Sequence, residues 1–133
     1  MRKAVIVLAV LLIMLPLLAV SCSSPEKTAR DGIATMNGYL VSARARHSEC
    51  DPDKFPGNQP QSQCQVIRRG TQANNLAIDA LEVFCGGPAF NAGTGACQAP
   101  NKGQPAFQQG LDKLNSALVN LNTTASDVRA LTK

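Results

Sequence analysis

The sequence predicts an all-α protein, a small antiparallel three-helix bundle with two disulfide-closed loops, preceded by a signal-peptide helix. Three observations carry this prediction. Apolar residues recur in steps of three and four along three segments, which is the spacing of one helix face. Aromatic residues make up only 4% of the chain, and a core of aliphatic residues and alanine suits packed helices better than strands. Four of the five cysteines lie after residue 22, and an even number in an exported domain indicates two disulfides.

Length and charge limit the classes of function. A chain of 133 residues corresponds to one domain. The formal net charge is +4, and Arg2 and Lys3 contribute two of these charges although they lie in the predicted leader. The remaining excess is too small for a nucleic-acid binder, which neutralises several phosphates with clustered Lys and Arg.

The first 22 residues have the organisation of an export signal. A basic start precedes an uncharged apolar stretch from Ala4 to Val20 that is interrupted by Pro16. This order of segments is typical of secretory signal peptides. The alternative is an uncleaved anchor helix, for which the stretch lies at the lower limit of the roughly 20 residues that span a bilayer.

Residues 18–22, Leu-Ala-Val-Ser-Cys, resemble the lipobox of bacterial lipoproteins. Ser21 and Val20 match the small and apolar residues that precede the cysteine in that motif, and Ala19 stands where Leu is usual. The resemblance covers residues 1–22 only. It implies a signal peptide over 1–21, a lipid on Cys22, a short tether over 22–25 and a helical-bundle domain over 26–133.

The resemblance also implies a location. Each buried acyl CH₂ contributes about 0.8 kcal/mol, and two or more acyl chains hold a protein stably on a membrane. The chain is therefore expected at the cell envelope, facing the periplasm or the cell exterior. Ser23 rather than Asp follows the cysteine, which favours the outer membrane in bacteria that have two membranes. No cofactor is expected besides the covalent lipid.

The first helix is predicted over about Pro25–Ser48, with Ser24 as its N-cap and Pro25 at the first helical position. Gly32 and Gly38 weaken this helix but permit close approach of a neighbour. Its apolar or small stripe consists of Ala29, Ile33, Met36, Leu40, Ala43, His47 and Cys50, with Tyr39 beside it.

The second helix is predicted over Ser62–Cys85. The preceding segment, 50–61, contains three prolines and is expected to be an irregular loop. Ser62 and Gln65 have the spacing of a capping box, and Gly86-Gly87-Pro88 ends the helix. Asn74 either fixes helix register from an inner position or faces solvent. The apolar face consists of Val66, Ile67, Ala73, Ala77, Ile78, Ala80, Leu81 and Phe84.

The third helix starts near Pro105, after a loop over 86–104 that is rich in Gly, Pro and Ala. Its apolar positions alternate in steps of four and three residues over three heptads, and they form the clearest helical signal in the chain. The Asn-Thr-Thr run that begins at Asn122 is expected to fray the last turns. The apolar positions are Phe107, Leu111, Leu114, Leu118, Leu121, Ala125 and Val128.

Helix geometry selects the pairing of Cys50, Cys64, Cys85 and Cys97. Cys64 and Cys85 lie at opposite ends of the second helix, about 30 Å apart at 1.5 Å per residue, whereas disulfides need Cα atoms within about 7 Å. Cys50 lies near the Cys64 end because a short loop joins them. The sequence therefore predicts Cys50–Cys64 and Cys85–Cys97, each contributing on the order of 3 kcal/mol.

Few residues indicate chemistry, and no catalytic residue is predicted. His47, the only histidine, is interpreted as structural because no nucleophile or orienting partner is marked near it. A metal site that combines cysteine with His47 is disfavoured, since the chain has no second histidine and no CxxC pair. Asp51 and Asp53 lack the rest of an EF-hand pattern, and the glycine-rich segments lack the GK[ST] of a P-loop.

The antiparallel order of helices gathers basic residues at the end of the bundle away from the membrane. We predict there a partner-binding surface of Arg44, Arg46, Arg68 and Arg69 for an acidic partner, such as cell-wall polymer or an envelope protein. The alternative is an ordinary solvated surface. The sequence thus favours a non-enzymatic structural or interaction module, with a specific binding or inhibitory module, including a phage or defence role, as the second class and an enzyme as the third.

Overall fold

The computed structural model describes residues 24–87 and 95–133 of the chain. Within these ranges the protein is all-helical and contains no strand, as predicted. The α-helices are α1 (Pro25–Arg46), α2 (Ser62–Phe84) and α3 (Pro105–Ala130). The predicted signal-peptide helix and the predicted lipid attachment at Cys22 lie outside the described residues.

Helix α1 begins as predicted. The Ser24 side chain accepts a hydrogen bond from the Lys27 backbone N–H at 3.2 Å, and Pro25 occupies the first turn. The helix ends at Arg46, two residues earlier than expected, because His47 leaves the helical region with φ −117° and ψ 56°. The expected stripe is therefore buried only as far as Ala43 within the helix, and His47 is half-buried.

Helix α2 begins at the predicted residue without the predicted cap. Gln61 is the N-cap and its side chain makes no capping hydrogen bond. The expected capping box is wrong because Ser62 is already helical and the Gln65 side chain donates to the Pro60 carbonyl instead. At the other end, Gly86 and Gly87 have φ of 114° and 88°, conformations that glycine adopts at little cost.

The loop between α1 and α2 contains more regular structure than expected. Short 3-10 helices form at Ser48–Cys50 and Pro56–Asn58. Helix α3 also continues through the Asn-Thr-Thr run to Ala130, so the expected fraying is wrong. The Thr123 and Thr124 hydroxyls donate to the carbonyls four residues earlier, which satisfies them within the helix.

The helices alternate in direction, so that the C-termini of α1 and α3 lie at the same end. The Arg46 side chain donates to the Lys133 carbonyl at 3.0 Å across this end. All three helix pairs pack together, and α2 with α3 forms the most extensive contact. Met36, Leu81, Leu114, Leu121 and Val128 are the largest fully buried apolar side chains apart from cysteines.

Two glycines that the periodicity did not single out set the helix spacing. A Cβ on Gly70 would lie 2.5 Å from Val128 Cγ2 and 3.1 Å from Leu40 Cδ2. A Cβ on Gly110 would lie 3.1 Å from Phe84 Cδ2. Gly32 faces Leu121 at ordinary contact distance, whereas Gly38 is exposed with no neighbour within 4 Å, so its expected packing role is wrong.

Both predicted disulfides are confirmed. Cys50–Cys64 joins residues 14 apart with Cα atoms 5.0 Å from each other. Cys85–Cys97 joins residues 12 apart with Cα atoms 4.4 Å from each other. Each bond therefore holds one inter-helix connection against an end of α2.

Asn74 takes the buried alternative. It is 4% exposed, and its amide donates to the Asn37 side-chain oxygen at 2.8 Å. Its own oxygen has no hydrogen-bond partner among the described residues. Within the described part of the chain, no helix is apolar over a long enough stretch to cross a bilayer.

Candidate functional site

A groove of about 600 Å³ opens at the end of the bundle where α1 stops and α2 starts. Its walls come from the last turn of α1, the first inter-helix loop and the first half of α2. We call it the basic groove because three of its lining residues are cations and one is a carboxylate. It is lined by Arg44, His47, Ser48, Cys50, Asp51, Pro52, Lys54, Gln59, Cys64, Ile67, Arg68, Thr71 and Gln72.

One face of α2 forms a continuous wall of the basic groove. Cys64, Ile67 and Thr71 follow one another in steps of three and four, and Arg68 lies four residues after Cys64 and three before Thr71, so these side chains share this face. Cys64 and Ile67 are buried and form an apolar floor, whereas Arg68 is exposed above it. The wall therefore joins an apolar base to a cationic rim.

Arg44 reaches this wall from α1. Its guanidinium donates to Thr71 Oγ1 at 2.8 Å, and the Thr71 hydroxyl donates to the Ile67 carbonyl at 2.9 Å. Arg68 lies one helical turn before Thr71 and has no hydrogen-bond or ion-pair partner among the described residues. One arginine of the groove is thus oriented by Thr71, and the other is available for an anion.

The first loop supplies the opposite side of the groove. Lys54 Nζ lies 3.4 Å from Asp51 Oδ2, and Asp51 Oδ1 accepts the Asp53 backbone N–H at 3.0 Å. These contacts, led by the Asp53 backbone hydrogen bond, hold the pKa of the Asp51 carboxyl below its ordinary value. Asp51 therefore serves as a turn-forming carboxylate in the folded loop.

His47 lies at the rim of the groove with an acidic partner. Its Nδ1 is 3.0 Å from Glu49 Oε1, and this hydrogen bond is the main reason that the pKa of Glu49 lies below its ordinary value. A carboxylate that orients an imidazole is part of many catalytic sites. Among residues 24–87 and 95–133, however, His47 makes no hydrogen bond to a hydroxyl or thiol, and the two cysteines of the groove are joined to each other.

The four predicted partner-binding arginines separate into two pairs. Arg44 and Arg68 line the basic groove, whereas Arg46 turns to the Lys133 carbonyl and Arg69 is exposed outside the groove. Thr71 is the contributor that sequence reasoning missed. Its position three residues after Arg68 was a usable signal, but only the packing of α1 on α2 shows that Arg44 reaches it.

A second, shallower groove of about 610 Å³ runs between α2 and α3. Leu76 and Val83 line it and are 54% and 61% exposed. Its charged residues are Asp79, Asp112 and Lys113, so carboxylates outnumber the cation. This groove lacks the cation pair that distinguishes the basic groove.

The described residues bring together no group of three or more His, Cys, Asp or Glu side chains that is suited to hold a metal ion. Comparison of the chain with models of known protein families, with curated proteins and with solved structures finds no match. The site must therefore be interpreted from its own geometry.

Proposed function

We propose that this chain is a non-enzymatic interaction module, held at the bacterial cell envelope by lipid on Cys22, that binds an acidic partner with the basic end of its bundle. The observation that carries the proposal is the basic groove, which Arg44 and Arg68 both line beside an apolar floor. The partner is an envelope protein or a cell-wall polymer that carries carboxylates. Oppositely charged surfaces of this kind accelerate and orient association.

The proposed location at the envelope is supported by the leader sequence and by the short distance between Cys22 and the first helix. Helix α1 starts at Pro25, only three residues after Cys22, so the tether is short. A helix of 22 residues is about 33 Å long at 1.5 Å per residue. Lipid on Cys22 would therefore present the basic groove at the end of the bundle that lies away from the bilayer.

A binding role is favoured over catalysis by the contacts of His47. Its Nδ1 is engaged by Glu49, and no hydroxyl or thiol is hydrogen-bonded to its ring in the described part of the chain. General-base catalysis of acyl transfer needs a nucleophile within hydrogen-bond reach. The His47–Glu49 pair is therefore assigned to shaping the rim of the groove.

Specific binding, rather than a purely structural role, is favoured by the orientation of the cations. Within the described ranges, Thr71 orients the Arg44 guanidinium, and Arg68, one helical turn before Thr71, has no hydrogen-bond or ion-pair partner. Arginines in this arrangement suit bidentate recognition of carboxylates.

The lipid anchor is tested by expressing the full chain in a bacterial host and measuring the intact mass of the product in the membrane fraction. We expect a chain that begins at residue 22, carries acyl groups and contains two disulfides. Cys22→Ser abolishes acylation, whereas Ser23→Ala, the neighbouring small-residue control, leaves it intact. An unacylated wild-type chain in the soluble fraction would refute the envelope proposal.

The acidic partner is tested by crosslinking in intact cells of the source bacterium. Replacing Arg44, Arg46, Arg68 and Arg69 together with Ser is expected to remove the main crosslinked product. The control variant replaces Lys27, Lys102 and Lys113, which lie away from the basic end, and is expected to keep the product. An identical crosslinking pattern in both variants would exclude the basic end as the binding surface.

A further inference from the structure

We infer that the basic groove binds a short, extended acidic peptide segment of a partner protein, in which carboxylate side chains alternate with apolar ones. The inference deepens the proposed function and rests on its binding role. It selects a protein partner over a cell-wall polymer, and it assigns recognition to Arg44 and Arg68 rather than to the whole basic end.

The size of the groove limits the ligand. A volume of about 600 Å³ falls within the range of about 300–1,000 Å³ that is typical of sites for small ligands and short segments. The groove is therefore too small for a folded domain and suits a few residues of an extended chain.

The charges of the groove select an anionic ligand. Arg44, Lys54 and Arg68 line it, and its one carboxylate, Asp51, is already paired with Lys54. The two arginines are thus the cations that a ligand carboxylate can engage without displacing an ion pair. A planar guanidinium binds a carboxylate through two parallel hydrogen bonds.

The floor selects against an anion that has no apolar part. Ile67, Pro52 and the Cys50–Cys64 disulfide provide apolar surface between the cationic sides. Two large apolar side chains, Val41 and Phe55, are exposed next to groove residues, one turn before Arg44 and directly after Lys54. Apolar side chains of a peptide would be removed from water here, whereas a bare phosphate or a polysaccharide carboxylate would leave this surface unused.

The spacing of Arg68 and Thr71 on α2 suits an extended chain. Arg68 and Thr71, which holds the Arg44 guanidinium, are one helical turn apart, so their Cβ atoms are separated by about 5–6 Å. Side chains at alternate positions of an extended peptide project to the same side about 6.6 Å apart. Two carboxylates in an acidic–apolar–acidic segment therefore have nearly the spacing of the two α2 positions, Arg68 and the Thr71 that holds Arg44, while the apolar residue between them projects to the other side.

The test uses the full chain, purified from the membrane fraction in non-ionic detergent. The probe is a mixed set of capped, fluorescein-labelled hexapeptides with Asp or Glu at the odd positions and Leu, Val or Phe at the even ones. The matched set carries Asn or Gln in place of Asp or Glu. Binding is measured by fluorescence anisotropy, and we expect the acidic set to bind at least tenfold more tightly than its amide counterpart, since a charged hydrogen bond is worth more than a neutral one.

Two double variants with the same net charge identify the groove. R44Q/R68Q removes the two groove arginines and is expected to weaken binding at least tenfold. R46Q/R69Q removes two arginines of the same basic end that do not line the groove, and binding is expected to change less than twofold. Equal weakening of binding by both double variants would mean that the peptides are attracted to general positive charge, and this would overturn the inference. Failure of the wild-type protein to bind at 1 mM peptide would also overturn it, because a Kd of 1 mM corresponds to a binding free energy of only about −4.1 kcal/mol.

A second measurement does not depend on any variant. In the wild-type protein labelled with ¹⁵N, the acidic peptides are expected to shift the backbone amides of Ile67, Arg68 and Thr71 more than those of Lys113 and Asn120 in the α2–α3 groove. Larger shifts in the α2–α3 groove would overturn the assignment. The titration is independent of acylation, so the two proposals can fail separately. An acylated chain that does not bind the peptides refutes this inference alone. An unacylated chain that binds them refutes only the proposed location at the envelope.

Discussion

The two disulfide-closed loops lie at opposite ends of the bundle and are held in different ways. In the first loop, two side-chain amides satisfy backbone carbonyls. The Asn58 side chain donates to the Glu49 carbonyl at 3.0 Å, and the Gln59 side chain donates to the Cys50 carbonyl at 3.1 Å. In the second loop, residues 95–104 are joined to the bundle through the backbone: the Gln98 N–H donates to the Cys85 carbonyl, and an arginine of α1 donates to the Gly95 carbonyl.

This difference separates closing a loop from shaping it. The two disulfides enclose similar lengths of chain, with separations of 14 and 12 residues. Among residues 47–61, 86–87 and 95–104, only the first loop carries amide side chains that bond its own backbone, and only the first loop forms a wall of the basic groove. The covalent bond brings the ends of a loop together, and the polar side chains then determine the surface that the loop presents.

The largest expected effect comes from removing each disulfide. Cys50→Ser/Cys64→Ser and Cys85→Ser/Cys97→Ser are each expected to lower the free energy of unfolding by about 3 kcal/mol. For a domain of this size the melting temperature, followed by circular dichroism, then falls by about 12 °C or more. Only the first double variant is expected to weaken binding of the acidic peptides as well. Equal weakening of binding by both variants would show that the two loops do not differ in function.

Helix spacing at the two ends gives the next largest effect. Gly70→Ala places a Cβ 2.5 Å from Val128 Cγ2, and overpacking of this degree costs about 1–3 kcal/mol. Gly110→Ala places a Cβ 3.1 Å from Phe84 Cδ2, a less severe approach than 2.5 Å, so a smaller loss is expected. Urea denaturation measures both.

The control for these glycines is Gly38→Ala. Gly38 is exposed in α1 with nothing within 4 Å of a Cβ, so the variant is expected to gain about 0.5–1 kcal/mol from helix propensity. If Gly70→Ala were as stabilising as Gly38→Ala, the close contact of α2 with α1 and α3 would be refuted.

Side-chain amides in the first loop are expected to contribute less. Asn58→Ala and Gln59→Ala each remove one hydrogen bond to a backbone carbonyl, at a cost of about 1 kcal/mol. Hydrogen exchange of the amides over 47–61 should become faster in both variants. Gln98→Ala is the matched control in the second loop, because its backbone N–H still donates to the Cys85 carbonyl. Unchanged exchange in the first loop would contradict the difference between the loops.

The smallest expected effect is a dependence of stability on pH. The hydrogen bond from His47 holds the pKa of Glu49 below its ordinary value of 4.5. A carboxyl whose folded-state pKa is lowered stabilises the protein above its unfolded value, and this contribution is lost as the pH falls below about 4.5 through the folded value. The stability difference between wild type and Glu49→Gln should therefore be present at pH 7 and disappear in acid.

The second loop provides the comparison for this effect, because residues 86–104 contain no Asp or Glu. Hydrogen exchange measured between pH 5 and pH 3 should show that the first loop of the wild type opens as the pH falls. The opening of residues 95–104 should not change with pH over this range. A Glu49→Gln variant that retained the full acid dependence would assign it to Asp51 instead, whose pKa is also lowered.

Much of the fold could be predicted because its signals are local. The Ser24 cap, the glycine end of α2 and the apolar alternation of α3 each depend on residues within one or two turns. Both disulfide pairings followed from the length of one helix. The expected cap at Ser62 failed because Ser62 is itself the first helical residue and Gln61 is the N-cap, and such single-residue differences depend on loop packing.

The candidate site could be predicted only in part. The end of the bundle that collects arginines followed from helix direction, but the division into Arg44 with Arg68 and Arg46 with Arg69 did not. That division depends on how α1 is rotated against α2, which the close approach at Gly70 helps to set.

The sequence by itself determined the helical class, the order and approximate bounds of the helices, the pairing of the four cysteines and the collection of positive charge at one end. These properties depend on neighbouring residues and on the fixed rise of a helix, which act before the chain packs. Only the tertiary structure decided which arginines line the same groove, which glycines set the distance between helices and which loop becomes a wall of the groove. These outcomes depend on contacts between residues distant in sequence, because the rotation and approach of one helix against another are set by the shapes of both surfaces.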